Sequence, residues 1–164
     1  LRVAIAASLV LSAASGWLAA TLWYAQDVGV GRLQHDVVTA HLRALATDST
    51  VQVASADPHT VKPWFAGRLE LAPTIRDLSA AGFPLAGGRL DIVDGKRVAV
   101  AVYRRRLHTV SVFMWRAGSL PTDEQPKTRS VDGYNVVAWR AGGIVHWAIS
   151  DLNAAELVEL ARQM

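Results

Sequence analysis

Apolar residues follow two regimes along this chain. From Val3 to Tyr24 they run almost continuously, broken only by small or hydroxyl side chains, and no charge falls between Arg2 and Asp27. From Leu33 onward they recur at helix or strand spacing among polar residues. The first regime is about 22 residues, roughly 33 Å as an α-helix, against a hydrocarbon core of about 30 Å. A helix satisfies its own backbone in lipid, and Trp23 and Tyr24 close the stretch where interfacial aromatics sit. The pattern predicts a transmembrane helix over residues 1–26. A cleaved leader fits less well, because Leu18-Ala19-Ala20 puts a large residue first in the small-x-small site. A buried or oligomerising helix in a soluble protein is the remaining alternative. Ala4, Ser8, Ser12, Gly16 and Ala20 recur every fourth position. Small residues at that spacing let helix backbones approach, so Ser8, Ser12, Gly16 and Ala20 are the predicted helix–helix contact of a homodimer. An alanine-rich segment also produces such a stripe by chance.

In the second regime, Gly29 and Gly31 are expected to loosen the chain. Leu33, Val37, His41 and Leu45, with Val38 and Leu42 alongside, then predict a helix ending near Thr47. Residues 27–48 thus read as a membrane-proximal linker and helix, and residues 49–164 as a separate domain. Val51 and Val53 suggest a short strand ended by Asp57-Pro58, and Arg68 to Leu71 alternates like an edge strand. Thr74 to Ala81 suggests a turn or two of helix stopped by Gly82. Leu90 and Ile92 alternate with Arg89 and Asp91. Asp94-Gly95 then makes a tight turn, and Val98 to Tyr103 is a rich β run. Arg104-Arg105-Arg106 falls at the next reversal, before a strand from Thr109 to Trp115. Ala117 to Asp132, with Gly118, Pro121 and Pro126, reads as a long loop. A hairpin follows, from Tyr134 to Arg140 and from Ile144 to Ile149, across Gly142-Gly143. Asn153, with Glu156 as capping-box partner and Leu152 and Leu157 as a staple, starts a final helix whose Leu157, Leu160 and Ala161 pack on the sheet. The fold class is α+β: an N-terminal transmembrane helix, then a largely antiparallel sheet with helices against one face.

Chemistry is sparse. The chain has no cysteine, which excludes disulfides and thiolate metal sites. Its net charge of +3 is too mild for a nucleic-acid footprint. His35 and His41 lie six apart, on different sides of a helix, and no H-x-x-x-H, G-x-S-x-G or phosphate-loop spacing occurs. No catalytic residue, metal or cofactor is predicted. Trp64-Phe65, Trp115, Trp139 and Trp147 read as core more readily than as a groove. Trp64 with Arg104, Arg105 and Arg106 is the candidate partner patch, facing a protein or anionic headgroups. Ala117 to Asp132 and Gln26 to Arg32 are candidate points of regulated proteolysis.

Several segments in order, His59-Thr60-Val61-Lys62-Pro63-Trp64-Phe65, Gly82-Phe83-Pro84-Leu85 and Gly87-Gly88-Arg89-Leu90-Asp91, resemble the extracytoplasmic region of proteobacterial transmembrane anti-sigma factors. So do Val102-Tyr103-Arg104-Arg105-Arg106 with His108, Gly133-Tyr134-Asn135 leading to Trp139, and the ending from Ser150 to Leu157. The resemblance implies a single-pass protein of the bacterial inner membrane with most of this chain in the periplasm. It also implies an N-terminal cytoplasmic module, often with an H-x-x-x-C-x-x-C zinc motif, that sequesters a sigma factor. No such module is found in these residues, so the chain is expected to be the anchor and sensing side of a longer parent. An envelope protease or sensor protein is the expected partner outside. A membrane-anchored periplasmic carrier of a ligand or lipid is the alternative, and it would need an open cavity.

Overall fold

The computed structural model describes residues 2–118 and 124–164, with backbone alone at 2–14, 18–19 and 22–28. The chain divides into two compact units, Leu1–Arg32 and Leu33–Met164. Helix α1 spans Arg2–Ala46, so the expected break at Gly29 and Gly31 does not occur. A helical glycine costs only about 1 kcal/mol relative to alanine, and the Leu/Ala/Val-rich flanks carry the helix through both. Among the described residues no helix is long and apolar enough to cross a membrane; the span over residues 1–26 rests on the sequence pattern.

The second unit is an α+β body built on a seven-stranded antiparallel sheet in the order β1-β2-β3-β4-β7-β6-β5. Its strands are β1 (Val53–Ala54), β2 (Leu85–Val93), β3 (Lys96–Arg105), β4 (His108–Arg116), β5 (Lys127–Val131), β6 (Tyr134–Ala141) and β7 (Ile144–Ser150). Helices α2 (Pro58–Phe65) and α3 (Ala154–Gln163) complete it, with a 3-10 turn at Ser79–Ala81. The expected meander and second hairpin are present, turning at Asp94-Gly95 and Gly142-Gly143. Gly82, at φ +78°, ends the 3-10 turn.

Four local expectations need correcting. Asp57-Pro58 does more than end a strand: Asp57 caps α2, accepting from the His59 amide at 2.8 Å, with Pro58 in the first turn. Arg68 to Leu71 is not a strand, since its pairing is one isolated bridge between Ala66 and Leu69. The expected loop from Ala117 to Asp132 contains β5, a polar edge strand paired with β6; residues 119–123 lie outside the described residues. Finally, Glu156 does not close a capping box. Asn153 accepts from the Ala155 amide, while the Glu156 carboxylate is drawn to Arg105 and Arg106.

Both sheet faces are covered. Ala99, Ala101, Tyr103, Val110, Val112 and Met114 point to one face and form a core with Val61 and Phe65 of α2 and Leu157, Leu160 and Ala161 of α3. Val98, Val100, Val102, Ser111 and Phe113 alternate with them and are buried on the other face. That second face is met by residues 33–46 of α1, where Leu33, Val37, Val38, Ala40, His41 and Ala44 are buried. The helices are therefore not confined to one face, and Leu42 and Leu45, expected on the apolar stripe, are partly exposed.

Candidate functional site

A polar network lies between the last turns of α1 and the sheet, centred on residues that read as ordinary in the sequence. His41 and Arg89 are 1% and 3% exposed. A guanidinium so far from water needs partners. Arg89 Nε donates to Asp91 Oδ2 at 3.2 Å, and Nη1 donates to the Thr50 carbonyl at 3.1 Å and to Ser111 Oγ at 3.3 Å. Its guanidinium carbon also sits 5.5 Å from the centre of the Phe113 ring. Arg89 Nη2 is buried without a hydrogen-bond partner.

Ser111 Oγ is 2.9 Å from His41 Nδ1. Because the hydroxyl already accepts from Arg89, its own proton is available to a neutral ring carrying hydrogen on Nε2. His41 Nε2 is buried and unpartnered, and the Tyr134 ring meets the imidazole edge-on at 5.6 Å. Burial, then the Arg89 charge, lowers the His41 pKa to about 4, against a weaker opposing pull from Asp151. The ring is therefore neutral at pH 7. An ion pair and a hydrogen bond to a carboxylate flank the network at the helix surface. Arg43 Nη2 donates to Asp91 Oδ1 at 2.8 Å, and Asp36 Oδ2 accepts from the Asp94 amide at 3.1 Å in the β2–β3 turn.

A Ser–His contact invites a hydrolase reading, and the geometry speaks against one. Ser111 is 1% exposed, its oxygen is held by a guanidinium, and Asp91 engages the two arginines, not His41. No reacting group can reach the hydroxyl without moving the helix. What this arrangement does is clasp the helical segment to the sheet.

The residues of the candidate partner patch each have their own contacts within the domain. Arg104 Nη1 donates to Thr109 Oγ1 at 2.8 Å. Arg105 packs 4.5 Å from the Phe83 ring centre and donates to the Ala81 carbonyl and to Glu156, each at 2.8 Å. Arg106 donates to Glu156 Oε1 at 2.7 Å. These two arginines pull the Glu156 pKa down to about 2 and tie α3 to the β3–β4 turn. Trp64 is half-buried, edge-on to Phe65, and covered by Arg68. Among the described contacts Trp64 and the arginine run share none.

Of the predicted helix–helix contact, Gly16 and Ala20 are exposed on α1, and the side chains of Ser8 and Ser12 lie outside the described residues. Gln26 to Arg32 is helical, a conformation that must open before a protease accepts it. Phe65, Trp139 and Trp147 are core residues as expected. Among the described residues no group of three or more His, Asp or Glu side chains forms a metal site. A shallow depression of about 290 Å³, lined by Lys62, Ala66, Leu69, Glu70, Leu71, Ala72 and Pro73, lies outside the core.

The fold and its clasp define an α+β domain with a helix locked across one sheet face. No known protein family, curated protein or solved structure matches this chain.

Proposed function

We propose that this chain is the membrane anchor and periplasmic sensory domain of a transmembrane anti-sigma factor, a non-enzymatic regulator of transcription initiation. Its sigma-binding module would precede these residues in a longer parent. Residues 1–26 are the bilayer-spanning segment in the inner membrane, and the domain beyond them reads an envelope signal. The resemblance rests on the segments quoted above. The observation that carries the regulatory reading is the clasp: the helix bearing the uncharged stretch runs to Ala46, and its last turns are held on the sheet by His41–Ser111, Arg43–Asp91 and Asp36–Asp94. A signal acts only if it has different affinity for two states, and a clasp that closes or opens supplies two states. Among the described residues the core holds the large buried side chains Tyr103, Phe65, Phe83 and Phe113, which favours the regulator over a carrier with an internal cavity.

The test is a reporter driven by the sigma factor that the parent controls. Cells carrying the parent without residues 49–164 should give constitutive or signal-blind output. Unchanged regulation in those cells would sink the reading.

A further inference from the structure

The His41 clasp carries an inference beyond anchoring. One hydroxyl, Ser111 Oγ, stands between a buried guanidinium at 3.3 Å and a buried imidazole at 2.9 Å. With the ring neutral, the hydroxyl accepts from Arg89 and donates to Nδ1. With the ring protonated, Nδ1 becomes a donor and the hydroxyl faces two cations with no acceptor for its own proton. The groups facing this point are known from each packed element. Strand β2 offers Arg89, with Asp91 already shared between Arg89 and Arg43. Strand β4 offers Ser111, and β6 offers the Tyr134 ring. After β7, Asp151 already accepts from Ser150 Oγ and pairs with His108 Nδ1 at 2.9 Å. On α1, Arg43 adds positive charge and Asp36 is taken by the Asp94 amide. His41 Nε2 has no partner to receive a charge. No uncommitted carboxylate is positioned to neutralise an imidazolium here.

We propose that residues 33–46 form a proton-released strap: protonation of His41 detaches this helical segment from the sheet and uncovers the face bearing Val100, Val102, Phe113 and Ile149. As a signal input, with acidification of the envelope as the stimulus, this rests on the regulatory reading above. As a property of the chain it does not, and the experiment reads the chain alone, so its failure leaves the reporter result standing.

The test is hydrogen exchange on the full chain in detergent micelles at pH 7.5 and pH 5, corrected for intrinsic rates. With a ring pKa of 6.5 when released and about 4 when clasped, protection of amides in residues 37–46 should fall about thirty-fold at pH 5, and at both pH values it should lie below that of β3 and β4, because the strap opens without the sheet. His41→Asn, which keeps a hydrogen-bonding atom near Nδ1 but cannot be protonated, should abolish the loss in residues 37–46. His146→Phe, on the opposite face, should retain it. Protection of residues 37–46 equal to that of β3 and β4, or a loss of about thirty-fold there that persists in His41→Asn, overturns the proposal. Should the Asn variant not fold, ¹⁵N shifts of the wild-type ring decide. Protection must be lost between pH 6.5 and the ring's own titration midpoint, and a ring that is protonated while residues 37–46 keep their full protection overturns the proposal.

Discussion

Replacing His146 by Phe should stabilise the domain, and increasingly so in acid. His146 lies opposite Met114 on β4, is 0% exposed, and stacks on Trp139 at 5.0 Å and 10°. Neither ring nitrogen has a partner with hydrogen-bond geometry. An unsatisfied buried polar group costs about 1–3 kcal/mol, while overpacking by the larger phenyl ring gives back about 1 kcal/mol, so a gain of about 1 kcal/mol is expected at pH 7.5. Burial also lowers the His146 pKa from 6.5 to about 4, against a smaller opposing pull from the Ile144 backbone. Between those values the unfolded chain binds more protons than the folded one. Wild-type stability is therefore complete above pH 6.5 and drains away as pH falls toward 4. The loss from this one residue is about 2 kcal/mol at pH 5 and about 3 kcal/mol at pH 4. The variant escapes that loss but keeps the similar one from His41, so its acid sensitivity should be roughly half that of wild type. Pulse proteolysis in urea at pH 7.5, 5 and 4 measures both quantities. A variant clearly less stable than wild type at pH 7.5, or one with the wild-type pH slope, refutes the argument.

Gly87→Ala should loosen β1 from the sheet edge: Gly87 has φ +148°, and an added Cβ falls onto the Val53 carbonyl oxygen. A thermal melt should show a loss of about 2–3 kcal/mol. Glu156→Gln should weaken the docking of α3, as read by hydrogen exchange in Ala154–Gln163. The Glu156 pKa is depressed from 4.5 to about 2, so its contribution is full above pH 4.5 and fades toward pH 2, where wild type and variant should converge. In the helix–helix contact, Gly16→Ile adds bulk where a Cβ meets open space within one chain. Any loss of cross-linking between two copies in membranes would then report the interface itself, and unchanged cross-linking would exclude this stripe from it.

How legible the fold was depends on what each residue had to say locally. Turns spoke clearly, because Asp94-Gly95 and Gly142-Gly143 fill positive-φ positions that few other pairs adopt easily. Helix α3 was legible from its cap and its 3.6-residue stripe, and Leu157, Leu160 and Ala161 are buried. Helix α2 was obscured because Pro63 sits inside it, and an internal proline normally argues against a helix. Glu156 showed the right spacing for a capping box, but two arginines about fifty residues away competed for it. No local rule contains that competition.

The residues of the candidate site are visible in the sequence, but the surface they occupy is not. Arg89 and Asp91 alternate with Leu90 and Ile92, and alternation alone puts the charges in water. In the structure Arg89 is buried and Ile92 is 61% exposed. The clue lay in the neighbouring strands. Val98 to Tyr103 does not alternate at all, and every residue in it is buried, as a strand covered on both faces requires. Two covered faces need a second helical layer, and the stripe Leu33, Val37, His41 supplies one. A histidine on that stripe must then meet the sheet. The polar residues of β2 and β4 that share its face, Arg89 and Ser111, are the ones able to satisfy it. The clasp thus follows from the unbroken apolar run of β3, because that run leaves the charges on β2 no aqueous face to occupy.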